Sequence, residues 1–123
     1  MTEALTIALA QLDPTVGDVV GNAEILRKAR ARAAELDADL MVASELVISG
    51  YPPEDLVVRP AFLEASRKAV EELAAETADG GPAMIVGYPR AENGKRYNSV
   101  AVIDDGKIIG TRDKVDLPNY WEF

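Results

Sequence analysis

Glu45 and Lys114 are the two side chains in this sequence whose settings best suit acid–base chemistry. Glu45 closes the apolar run DLMVASE, just ahead of the sharp turn Gly50-Tyr51-Pro52-Pro53. A carboxylate beyond a strand end, flanked by Val42, Leu46, Val47 and Ile48, is expected to be buried. Burial disfavours the charged form and lifts the pKa, which suits a general base working near neutrality. The alternative is a glutamate that caps the loop or pairs at the surface. Lys114 ends the run KIIGTRDK and precedes Val115-Asp116-Leu117-Pro118. Placed beyond a strand end, it can pair with Glu45 or stabilise an oxyanion, an effect of about 3–4 kcal/mol in a dry site. Otherwise it is a solvated cation balancing Asp113 and Asp116. Tyr51 and Tyr120 stand near these loops beside prolines, where a ring excludes water and a hydroxyl orients a polar group, or simply packs.

The absences narrow the chemistry further. The 123 residues contain no cysteine and no histidine. Ser-His-Asp and Cys-His catalysis, disulfides and the common zinc sites are therefore excluded within this segment, and no metal ligands are expected in it. The formal net charge of −8 argues against a nucleic-acid partner, which requires clustered Lys and Arg. No apolar run is long enough to span a membrane, and MTEALTIALAQL lacks the basic start and cleavage site of a secretion signal, so the cytoplasm is the default expectation. Gly17-Asp18-Val19-Val20-Gly21 has neither the glycine spacing nor the Lys-Ser/Thr of a phosphate loop. A hydrophobic content of 48% with 28% charged residues is that of a globular domain with a real core.

Positioning these residues calls for an α/β frame. Residues 5–12 (LTIALAQL) read as a strand buried on both faces, and 39–44 (DLMVAS) as a second. Between them a helix is predicted from an Asn22 N-cap to about Asp37, with Leu26, Ala29, Ala33 and Leu36 as its apolar stripe. Pro60 opens a second helix with Phe62, Ala65, Ala69 and Leu73 inward and a Glu64–Lys68 pair outside; Asp79-Gly80-Gly81-Pro82 ends it. Three strands follow, at 83–87, 97–103 and 107–112, with hairpin signals at Glu92-Asn93-Gly94 and Asp104-Asp105-Gly106. The order β-α-β-α-β-β-β predicts a mixed sheet, parallel first and antiparallel later, with both helices on one face. Gly87-Tyr88-Pro89 reads as a strand end. The stop at Trp121-Glu122-Phe123, with an apolar sheet face left over, suggests a truncated domain.

These segments resemble a known family. IALAQLDPTVGDVVGN, SELVISGYPPEDL and DKVDLPNY, in this order and spacing, are similar to the nitrilase (carbon–nitrogen hydrolase) superfamily and, more narrowly, to the amino-terminal glutaminase domain of the glutamine-dependent NAD synthetases. The resemblance implies an incomplete α-β-β-α sandwich, with residues 1–123 as its amino-terminal part and the rest of that domain and a synthetase domain absent. It implies a Cys-Glu-Lys triad in which Glu45 is the general base and Lys114 steadies the tetrahedral intermediate, with Tyr120 contacting bound glutamine and Tyr51 outside the first contacts. The cysteine would lie beyond residue 123, so this chain alone is expected to be inactive. Glutamine is the implied substrate, and its ammonia would serve the ATP- and magnesium-dependent amidation of deamido-NAD in the absent domain. A homo-oligomer is implied as well. Many nitrilase relatives carry a basic residue immediately before the lysine and a histidine soon after, whereas here Asp113 precedes it and Asp116 follows. Two other readings stay open: another nitrilase-type amidase, such as a carbamoylase or omega-amidase, and a non-catalytic oligomerisation module of the same fold.

Overall fold

A computed structural model describes residues 4–114. The elements run β1 (Ile7–Leu9), α1 (Val19–Glu35), β2 (Leu40–Val42), α2 (Pro60–Glu76), β3 (Ala83–Glu92), β4 (Lys95–Asp104) and β5 (Lys107–Asp113). Short 3-10 turns at Glu54–Val58 and Thr77–Asp79 bracket α2. The five strands form one sheet in chain order; β1, β2 and β3 are mutually parallel, and β3–β4 and β4–β5 are antiparallel. This is the predicted mixed α/β sheet.

Both hairpins close through two residues with positive φ, Asn93 and Gly94 (51° and 76°) and Asp105 and Gly106 (50° and 78°). Their backbone twist matches that of the flanking strands, as expected of Asn-Gly and Asp-Gly turns. β3 does not end at Gly87 but continues to Glu92. β2 ends at Val42, so beyond Ile85 the ladder of β3 is with β4 alone, and Pro89 occupies a place where its missing N–H costs no rung.

The helix start differs from the expectation for a specific reason. Asp18, not Asn22, caps α1, its carboxylate accepting the Gly21 N–H at 3.0 Å. Asn22 lies one turn inside and is fully buried. Its carboxamide accepts from Thr15 N–H at 2.8 Å and donates to Thr15 O at 2.8 Å and Ile48 O at 2.9 Å. One side chain thus ties the loop before α1 to the turn after β2. On α2, Arg67 rather than Lys68 takes Glu64, and it also takes Glu71 at 2.5 Å.

Leu26 and Ala33 of α1, with Val70, Leu73 and Ala74 of α2, pack against Met41, Met84, Val86, Ala101 and Ile103 of the sheet in one apolar cluster. The register aligns Ala8, Met41, Met84 and Ile103 in a single row on that side. Strand side chains alternate, so Ile7, Leu9, Val42, Val100 and Val102 face the opposite side. Among the described residues both helices lie on one face, so β1 is covered on one side only. Ile7 and Leu9 are 48% and 76% exposed, which corrects the expectation of a strand buried on both faces.

Candidate active site

Glu45 follows β2 at the point where the chain turns. Leu46 adopts a left-handed φ of 51° and, with Val47 and Ile48, drops into the interior, while the Glu45 side chain emerges on the face opposite the helices. The turn is pressed flat against β3: a Cβ at Gly87 would sit 2.5 Å from Leu46 N, 2.8 Å from Ser44 O and 3.1 Å from the Glu45 carbonyl carbon. Ile48 N–H bonds Gly87 O at 3.2 Å, and Ser49 and Gly50 are buried against the loop before α1. The carboxylate is therefore carried on a backbone with little freedom to move.

Lys114 stands just past β5, where its N–H donates to Asn98 O of β4 at 2.7 Å. Its Nζ reaches Glu45 Oε1 at 2.7 Å across 69 positions of sequence. The amide of Asn98 donates to the same oxygen at 2.6 Å. Glu45, Lys114 and Asn98 line a cleft of about 320 Å³ with Val100, Arg112 and Asp113. The structure brings together Glu45 and Lys114, which sequence reasoning singled out, and adds Asn98, which it did not. Tyr120 lies outside the described residues. Tyr51 is exposed, 52%, and has no part in this cluster.

The electrostatics correct one expectation. Glu45 is not buried; its side chain is 38% exposed, and its pKa is held below the usual carboxylate range. The Lys114 ammonium is the main cause and the Asn98 amide adds to it, together outweighing the desolvation that pushes the other way. The apolar residues that follow it, Leu46, Val47 and Ile48, were misleading because they are buried in the interior while Glu45 points out of it. The group is accordingly an ionised acceptor.

Another cleft, of about 300 Å³, lies between the start of α2 and the β3–β4 hairpin, with Arg67 and Arg90 in its wall. Both guanidiniums are engaged by carboxylates, Arg67 by Glu64 and Glu71 and Arg90 by Asp113 and Glu92. Among the described residues no group of acidic side chains is arranged to hold a metal ion, and no helix is long and apolar enough to cross a membrane.

Comparison with known proteins gives concordant matches. The carbon–nitrogen hydrolase family model matches residues 6–123. A glutamine-dependent NAD(+) synthetase of Thermotoga maritima is 40% identical over 119 residues, covering 97% of this chain and 20% of the relative. The structure of the glutamine-dependent NAD+ synthetase from Acinetobacter baumannii superposes with a TM-score of 0.85 at 37% identity, over 95% of this chain and 22% of that one. A variant of the amidase from Nesterenkonia sp. AN1, with acrylamide added at its active site cysteine, gives 0.82 at 26% identity, over 97% and 47%. The chain thus spans about a fifth of the length of the curated relatives it matches.

Proposed function

This chain belongs to the carbon–nitrogen hydrolase family, and from that premise we propose that it is the glutaminase part of a glutamine-dependent NAD synthetase, contributing the base and the lysine of glutamine hydrolysis. The observation that carries the proposal is the 2.7 Å contact between Glu45 and Lys114 in the wall of the cleft. Identity of 40% to a synthetase, against 26% to the amidase, favours glutamine as substrate over a simple amide.

In this reading the nucleophile is a thiol that these 123 residues do not supply, since they contain no cysteine. A thiol is mostly protonated at neutral pH and needs a nearby acceptor. Glu45 is ionised and fixed, so it takes that proton and returns it to the departing ammonia. Water, activated by the same carboxylate, then releases glutamate from the thioester. The Lys114 ammonium offers positive charge beside the oxygen that becomes an oxyanion when the thiolate adds. Tyr120 is proposed to contact glutamine.

The ammonia would serve amidation of deamido-NAD, with ATP and magnesium bound by a different part of the enzyme. The described residues do not fit those groups: they hold no acidic metal cluster, and the sequence has no phosphate loop. The same reading makes the enzyme a cytoplasmic homo-oligomer.

The test is made in a full-length synthetase carrying this segment. Glu45→Gln and Lys114→Ala should each lower glutamine-dependent NAD synthesis by about a hundredfold or more while ammonia-supported synthesis persists. The isolated 123-residue chain should release no ammonia from glutamine. Normal glutamine use by the Glu45→Gln enzyme would remove the proposed base.

A further inference from the structure

We propose that Asn98 is the positioning residue for the general base: its amide and the Lys114 ammonium both grip Oε1 of Glu45, which turns Oε2 toward the proton to be taken. The inference rests on the glutaminase reading of this site and deepens it.

The geometry has three parts. Asn98 lies on β4 and is only 6% exposed, so its carboxamide is held in place by packing. Its Nδ2 is 2.6 Å from Glu45 Oε1, and Lys114 Nζ is 2.7 Å from that same atom. Among the described residues no donor falls on Oε2. Its backbone carbonyl meanwhile accepts the Lys114 N–H at 2.7 Å. One residue therefore touches both charged partners, the base through its side chain and the lysine through its main chain.

A carboxylate carried on two rotatable side-chain bonds beyond Cβ can present either oxygen in several directions. A lysine alone does not fix that choice, because its ammonium sits on a long flexible stem. A short amide side chain on a paired strand does, since the strand is fixed between β3 and β5 and Asn98 is only 6% exposed. With Oε1 engaged twice, Oε2 is the open acceptor edge among the described residues. The Asn98 hydrogen bond also favours the ionised form of Glu45, in the same direction as the larger effect of Lys114.

Asn98→Ala removes the side-chain donor but keeps the backbone carbonyl that holds Lys114. Asn98→Asp keeps the size and shape and replaces the donor with a second carboxylate. In the full-length synthetase, Asn98→Ala should lower kcat for glutamine hydrolysis about tenfold, the worth of one hydrogen bond to a charged group, with little change in KM. The acid limb of the kcat–pH profile should move to higher pH, and further in Asn98→Asp, where a like charge joins the site. A merely structural role would lower the amount of active enzyme without moving that limb. An unmoved limb in both variants would overturn the proposal, as would misfolding of both, which would assign Asn98 to the core. Glu45→Gln separates the two levels: if it retains glutamine hydrolysis, the glutaminase reading fails. If it loses hydrolysis while the Asn98 variants keep the parent kcat and limb, only the role of Asn98 fails.

Discussion

The guanidinium of Arg90 in β3 grips the carboxylate of Asp113 at the end of β5, its Nη2 lying 3.0 Å from Oδ1 and 2.9 Å from Oδ2. Ser99 donates its hydroxyl to the same carboxylate. These contacts, that of Ser99 foremost, hold Asp113 below the usual carboxylate range. Asp113 pairs in register with Ser99, on the helix side of the sheet, whereas Lys114 reaches the open side. The acid next to Lys114 is thus spoken for by an arginine, while the Lys114 ammonium meets Glu45 on the other face of the sheet.

The first prediction concerns that anchor. Asp113→Asn and Arg90→Ala free the end of β5 one residue before Lys114. Each should lower glutamine-dependent synthesis about three- to tenfold through misplacement of the ammonium, with ammonia-dependent synthesis unchanged. Parent-like glutamine rates in both variants would show that Lys114 needs no such tether.

Gly87 offers a sharper steric test. Its missing side chain admits the Leu46 amide and the Ser44 carbonyl, and the colliding atoms are all backbone. Gly87→Ala must push β3 and the Glu45 turn apart. The expected cost is about 2 kcal/mol of unfolding free energy, typical of overpacking and read as a lowered denaturation midpoint, together with a larger proportional loss of glutamine hydrolysis than of ammonia use. An unchanged midpoint would mean that the turn can retreat freely.

Acid stability should report on a second ion pair. Asp79, after α2, receives Arg30 of α1 through contacts of 2.9 and 2.7 Å and the Gly81 N–H at 2.8 Å. The guanidinium first, then that amide, lowers its pKa from 3.8 to about 2. A group whose pKa falls on folding stabilises the fold above its unfolded pKa and ceases to do so as pH drops through the folded value. The Asp79 side chain is 58% exposed, so screening reduces the contribution to about 1 kcal/mol. Asp79→Asn should therefore be less stable than the parent at pH 6, with the gap closing between pH 4 and pH 2. A gap that stays constant across that range would rule out this linkage.

What could be read in advance depended on whether the signal was local. Asn93-Gly94 and Asp105-Gly106 announce their turns because positive φ is a property of two adjacent residues. Pro60 marks its helix for the same kind of reason. The convergence of Glu45 and Lys114 was accessible because both follow strands that a mixed sheet brings to one rim. The setting of Glu45 was not, since Leu46 reverses the chain with a φ that nothing in SELVI foretells. Asn22 reads as a cap by type, yet its partners lie in the loops around Thr15 and Ile48. Asn98 carries no local mark at all: an asparagine inside a strand becomes meaningful only once the register places it opposite the turn after β2.

The carboxamide of Asn22 has a consequence for how the base is held ready. Because it fastens Thr15 and Ile48 at once, the peptide bearing Glu45 is clamped between a helix it does not belong to and the strand β3 against which it is pressed. The disorder that a mobile catalytic loop must surrender each time a ligand arrives has here been given up already, during folding. On the proposed role of Glu45, each catalytic cycle would begin from this one placement of the carboxylate.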